Sequence, residues 1–208
     1  MFGIKKPLKV AAWSLIVLPF LAFAIFFLAL IGVDIFSVGM HITFATILFL
    51  AFILNLLLVV NGFAELGKRF KSKLLVYASW TLFILFFIGV LYFISLSFET
   101  LILGSANVSW LLIIASFVGM IFFGIGLVKI GKNVELAKTT GIFTIIISII
   151  YPISHTMYLW AWDVSAFDLS VYLGIIATMG FFIAQILGLV ALILVIVMFF
   201  NASKKFEK

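Results

Sequence analysis

Six long apolar runs dominate the sequence and restrict what the chain can fold into. They lie at about 10–32, 40–63, 74–97, 108–129, 140–161 and 170–200. The hydrocarbon layer of a bilayer is roughly 30 Å thick, and a helix crosses it with about 20 residues. No run carries Asp, Glu, Lys or Arg in its middle. The sequence therefore predicts an all-α integral membrane protein, a bundle of six transmembrane helices that forms a single domain over 1–208.

The composition supports a membrane protein. Hydrophobic residues make up 67% of the chain and charged residues 10%, whereas soluble domains contain about 45–50% and about 25%. A water-soluble fold of 208 residues could not bury so much apolar surface. The chain also has no cysteine, which excludes disulfides, thiolate nucleophiles and thiolate metal sites. Abundant Phe, Ile and Lys favour a prokaryotic source.

The basic residues fix a predicted orientation. With six spans, both termini and the loops near 64–73 and 130–139 share one side of the membrane. That side receives all 13 Lys and Arg, whereas the other side receives four acids, Asp34, Glu99, Asp163 and Asp168. Loops rich in Lys and Arg stay in the cytoplasm. We therefore expect a multi-pass protein of the prokaryotic plasma membrane with cytoplasmic N- and C-termini.

Two loops repeat the string G-x-x-x-x-G-K, in "NGFAELGKRFKSK" and "GLVKIGKNVELAK". A phosphate-binding loop needs Ser or Thr directly after the lysine, and it opens a helix after a strand. Here Arg69 follows Lys68 and Asn133 follows Lys132, and both strings close an apolar run. A nucleotide site is therefore not expected, and neither is nucleic-acid binding.

The repeated string has a structural interpretation instead. Glycines near a helix end let the backbone leave the helix at low steric cost. The matching pairs Gly62/Gly126 and Gly67/Gly131 suggest a duplicated helical hairpin, made of spans 2–3 and 4–5. Basic side chains just beyond a helix end anchor it among lipid headgroups. The predicted anchors are Lys68, Arg69 and Lys132.

Two amides lie within the apolar runs. Asn55 is in span 2 and Gln185 is in span 6. Each is expected to hydrogen-bond to another helix, a contribution of about 0.6–2 kcal/mol. The alternative is a polar pathway that also includes Pro152, which is expected to kink span 5, and His155 on the next turn.

Three residues towards the outer side are candidates for chemistry. His41 and His155 could bind a metal together with the outer carboxylates, but their spacing matches no defined metal motif. Ser105 could pair with His155 as a hydrolase would require, but no flanking pattern supports it. We therefore predict no catalytic residue, no metal and no cofactor. The sequence favours a protein that is not an enzyme.

Small residues form a stripe along span 6 at helical spacing. Such stripes let two helices approach closely. Packing within the bundle is the favoured interpretation, and a subunit interface is the alternative. The stripe consists of Ala177, Gly180, Ala184, Gly188 and Ala191.

The helix ends "GFAELGK" and "GLVKIGK" and the Phe/Ile-rich texture resemble uncharacterised archaeal multi-pass membrane proteins, loosely over the whole chain. This resemblance implies no activity. The expected function is a non-catalytic structural or accessory subunit of a membrane assembly. A small transporter or channel that uses the pathway near Asn55, Pro152, His155 and Gln185 is the alternative. The expected partners are the lipid bilayer and other membrane subunits or further copies of the chain.

Overall fold

The computed structural model describes residues 6–35, 38–97, 106–163 and 167–207, which contain six α-helices and no strand. The predicted all-α architecture with six helices is confirmed, and each helix extends a few residues beyond its apolar run. The helices are α1 Pro7–Ile35, α2 Val38–Arg69, α3 Lys73–Ser97, α4 Ala106–Ile130, α5 Ala137–Asp163 and α6 Phe167–Phe206.

Each of the six helices is long and apolar enough to cross a membrane. The segment in α5 is among the less apolar, with a mean hydropathy of 1.4, and the segment in α6 reaches 2.9. The 40 residues of α6 extend over roughly 60 Å at about 1.5 Å per residue. This helix is therefore much longer than the hydrocarbon layer is thick. In a membrane it either tilts or projects beyond the layer.

The helices form a closed ring. Each packs mainly against its neighbours in the chain, and α6 also packs against α1. The start of α1, the end of α2 and the end of α6 lie together, because a Glu207 carboxylate oxygen accepts from the Leu8 N–H and the Phe206 carbonyl accepts from Arg69. The α4–α5 connection joins them through Glu135. We call this the basic end, since the described Lys and Arg all lie there.

Among the side chains that the structure describes, the hydrophobic core lies at the basic end. Its centre is Phe63 of α2, whose ring lies 4.7 Å from the rings of both Phe123 of α4 and Phe199 of α6. Because α2, α4 and α6 are not neighbours in the ring, these contacts cross its interior and fill it. Leu8, Ala11, Leu66, Leu75, Leu127, Ile130, Met198 and other buried side chains surround the three rings.

The repeated glycines bring helices into close contact. A Cβ at Gly62 would meet the Cβ of Ala11 in α1, and one at Gly126 would lie 2.9 Å from the Cα of Leu75 in α3. A Cβ at Gly67 or at Gly131 would likewise lie within 2.7 Å of the first turns of α3 or α5. In both loops the first glycine thus packs on the preceding helix and the second on the following one. This parallel agrees with a duplicated hairpin, which stays a prediction.

The prediction that these glycines release the backbone from the helix was wrong. No described glycine has a positive φ. The left-handed conformation is adopted instead by Lys6, Lys71 and Leu136, with φ of 63°, 55° and 69°, just before α1, α3 and α5. The chain therefore reverses after the helices have ended, and the glycines are needed where a Cβ would force neighbouring helices apart.

Candidate functional site

A cavity of about 760 Å³ opens at the basic end of the bundle. The start of α1, the α4–α5 connection and the last turns of α6 form its walls. A smaller cavity of about 290 Å³ adjoins it and includes Lys132. The larger one is lined by Lys6, Lys9, Glu135, Phe200, Asn201, Ser203, Lys204, Lys205 and Glu207.

Glu207 joins the end of α6 to the start of α1. Its Oε1 accepts from the Leu8 N–H at 2.8 Å, and its Oε2 accepts from the Lys9 N–H at 3.4 Å. The Ser203 hydroxyl donates to the same Oε2 at 2.8 Å. A carboxylate at a helix N-terminus satisfies free backbone donors and complements the positive end of the helix dipole. Glu207 is therefore occupied by the fold and closes the ring.

The three predicted headgroup anchors have different environments. Lys68 and Lys132 are exposed at the basic end. Arg69 forms an ion pair with Glu65 at 2.9 Å and also donates to the Phe206 carbonyl at 3.1 Å. Because that carbonyl lies at the C-terminus of α6, Arg69 caps α6 as well as pairing within α2. It acts within the bundle in addition to any contact with lipid.

The two amides of the spans have different surroundings. Asn55 is half-buried, and its Nδ2 donates to the Ala51 carbonyl one turn earlier in α2, at 2.9 Å. Gln185 is exposed, on the same face of α6 as Phe182 and Leu189, which are 64% and 63% exposed. Within the described part of the chain, the Gln185 amide has no hydrogen-bond partner. The structure therefore places this amide on the outer surface of the bundle.

Gln185 also lies near the middle of the part of α6 that is apolar enough to cross a membrane. Gly180 of α6 lies directly against Ser154 of α5, and Asn201 of α6 lies level with Glu135, just before α5 begins. Gln185 is therefore level with the middle of the apolar segment Ala137–Tyr158 of α5. In a membrane crossed by these segments, an exposed amide at this level would face hydrocarbon.

Pro152 lies within helix α5, and the kink expected there stays a prediction. Helix α5 runs through Pro152 to Asp163, and the Thr156 hydroxyl donates to the Pro152 carbonyl at 2.8 Å. His155 is half-buried, with its ring 6.5 Å from that of Phe181 in α6. Asn55, on α2, and Gln185, on the outer surface of α6, belong to other parts of the ring.

The outer candidates for chemistry fall mostly outside the described part. This applies to Ser105 and to the side chain of His41. It also applies to the side chains of the four outer acids, Asp34, Glu99, Asp163 and Asp168. Among the side chains that the structure does describe, no group of three or more His, Cys, Asp or Glu could hold a metal ion.

A row of buried hydroxyls along α5 was missed by the sequence analysis, although its spacing is visible in the sequence. The row consists of Thr140, Thr144, Ser148 and Ser154, all buried inside the bundle. Each hydroxyl donates to a carbonyl three or four residues earlier in the chain, at 2.8–3.0 Å. These bonds satisfy the hydroxyls locally, so that the row is compatible with a dry helix interface.

The small-residue stripe of α6 mainly faces its own bundle. Ala177, Ala184 and Ala191 are buried, and a Cβ at Gly180 would collide with the Ser154 side chain of α5. A Cβ at Gly188 would meet nothing within 4 Å. Four of the five positions therefore serve close packing within the chain.

No protein family, curated protein or solved structure matches this chain. Its function is therefore inferred from its own residues and geometry.

Proposed function

We propose that this chain is a non-catalytic structural or accessory subunit of a membrane assembly, with both termini in the cytoplasm. The observation that supports this proposal best is the exposed Gln185 amide of α6, which lies level with the middle of the apolar segment Ala137–Tyr158 of α5. Hydrocarbon offers this amide no hydrogen bond, and leaving it unsatisfied is costly. A neighbouring subunit that supplies a polar group would remove this cost.

The distribution of buried surface points the same way. Only 17–28% of each membrane-crossing segment is buried inside the bundle. Among the described side chains the core lies at the basic end, and exposed apolar faces beyond it, such as that of Phe182 and Leu189, are available to partners. The interface would combine the Gln185 hydrogen bond with close packing of Phe182 and Leu189 against a neighbouring helix.

Replacing Gln185 by leucine is expected to weaken this association. An interhelical hydrogen bond in a membrane contributes about 0.6–2 kcal/mol, which corresponds to roughly a 3- to 30-fold loss of affinity. The amount of partner that co-purifies with the chain from its native membrane measures the loss. Folding of the chain itself should be unaffected, because this amide has no partner within the described residues.

Thr178→Val is the matched control for Gln185→Leu. Thr178 is exposed on the same face of α6, but its hydroxyl donates to the Gly174 carbonyl of its own helix at 2.8 Å. Removing it should leave co-purification unchanged. The interface at Gln185 would be refuted if Gln185→Leu retained its partners in full, or if both variants lost them equally.

The alternative function is a small transporter or channel, for which the buried hydroxyl row of α5 is the supporting feature. Such a pathway would have to pass Phe63, Phe123 and Phe199, which fill the ring at the basic end. The double variant Thr144→Val/Ser148→Ala, which removes two hydroxyls of that row, distinguishes the two functions in proteoliposomes. We expect the rate of solute entry, measured as vesicle swelling, to be the same as for the wild-type chain. A wild-type flux that the double variant abolishes would favour the transporter.

A further inference from the structure

We propose that the cavity at the basic end binds the phosphate group of an anionic phospholipid. This inference is independent of the assembly proposed above, because it concerns the opposite part of α6 and different side chains. Lys6 and Lys9 of the α1 end and Lys204 and Lys205 of the α6 end line the cavity. Lysines from both ends of the chain therefore line one space of about 760 Å³.

The fold balances only part of the lysine charge in this cavity, because four lysines and two glutamates line it. Its two carboxylates already accept hydrogen bonds, Glu207 from α1 and from Ser203, and Glu135 from Asn201 at 3.4 Å. Within residues 6–35, 38–97, 106–163 and 167–207, none of the four lysines forms an ion pair. Because four lysines face two occupied glutamates, the cavity attracts an anion with several acceptor oxygens.

An apolar wall at the cavity favours a lipid over a soluble anion. Phe200 lines the cavity, and its ring meets the Trp13 indole edge-on at 5.6 Å. Trp13 is 55% exposed, and exposed indoles prefer the headgroup level of a membrane. Lysine ammonium groups with an apolar wall at that level match a phosphate attached to acyl chains.

One of the four lysines, Lys205, is also partly held in place. The Lys205 ammonium lies 5.3 Å from the centroid of the Phe206 ring, a distance at which a cation is attracted to the aromatic face. Phe206 in turn packs edge-on against Phe70 of the α2 end, at 5.3 Å. Lys205 is therefore held against the packed end of α6.

The test measures lipid binding by the full chain and two double variants by native mass spectrometry in mild detergent. Phosphatidylglycerol is titrated as the anionic lipid and phosphatidylcholine as the neutral reference. Lys9→Gln/Lys205→Gln removes two charges from the cavity. Lys73→Gln/Lys129→Gln removes two charges from the same end of the bundle but outside the cavity, where both side chains are exposed.

The wild-type chain is expected to retain phosphatidylglycerol in preference to phosphatidylcholine. The cavity variant should lose about tenfold or more of this affinity, since two charge-assisted contacts are removed, and the control variant should stay within about twofold. Equal losses in both variants would overturn the site, because they would reflect only the general basic surface. Displacement of the lipid by millimolar inorganic phosphate would overturn the lipid assignment and identify a soluble phosphate as the ligand.

Discussion

Replacing Phe199 by alanine is expected to lower the free energy of unfolding by about 3–5 kcal/mol. The Phe199 side chain is completely buried, and its ring lies 4.7 Å from that of Phe63. It also lies against Gly62, at the place where α1, α2 and α6 meet. Truncation would leave a cavity in the centre of the ring, whose lining would lose its dispersion contacts. Reversible unfolding in mixed micelles with increasing denaturing detergent measures the change.

Phe182→Ala is the control, because it removes an equally large ring that is 64% exposed on the outer face of α6. In a membrane this ring exchanges protein contacts for similar lipid contacts, so its loss should lower the unfolding free energy by less than about 1 kcal/mol. Similar losses for the two variants would contradict a stability that is concentrated at the basic end.

The second large effect is expected at Gly62. An alanine there is expected to destabilise the bundle by about 1–3 kcal/mol, as overpacking of a dense core does. The added Cβ would collide with the Ala11 Cβ of α1 and would lie 3.2 Å from the Phe199 ring. Because the obstacle at Ala11 is the first atom of a side chain, only a shift of the helix could relieve it. The same unfolding measurement applies.

Gly89→Ala is expected to change the free energy of unfolding in the opposite direction. A Cβ at Gly89, within α3, would meet nothing within 4 Å. Alanine loses less backbone freedom than glycine in a helix, so this variant should be more stable by about 0.5–1 kcal/mol. If Gly62→Ala were also stabilising, α1 and α2 could not approach each other as closely as the structure indicates.

The number and position of the helices were predictable from the sequence, whereas their faces were not. The apolar runs identify segments that lipid can solvate. In a membrane, however, lipid-facing and helix-facing surfaces are both apolar, so hydropathy does not reveal which side of a helix packs. Phe182 and Phe199 illustrate this, because they look alike in the sequence but lie on the surface and at the centre of the bundle.

The candidate sites were likewise predictable from the sequence only in part. Polarity alone pointed to Asn55 and Gln185, but it could not tell that one bonds within its own helix and the other is exposed. The concentration of Lys at one end was also visible in the sequence. Lysines from the two ends of the chain line one cavity because α6 is long and because Glu207 joins its end to the start of α1. The sequence around Glu207 has no pattern that predicts this contact. Local spacing cannot reveal contacts between the two ends of a chain.

Native mass spectrometry of the untagged protein, extracted gently from its own membrane, tests the proposed role as a subunit most directly. We expect the chain to travel with other polypeptides in a fixed ratio, and that ratio should fall in the Gln185→Leu variant. A chain that appears alone, or as a homo-oligomer that retains a small molecule, would contradict the proposed role. Transport of that molecule would then be the activity to measure.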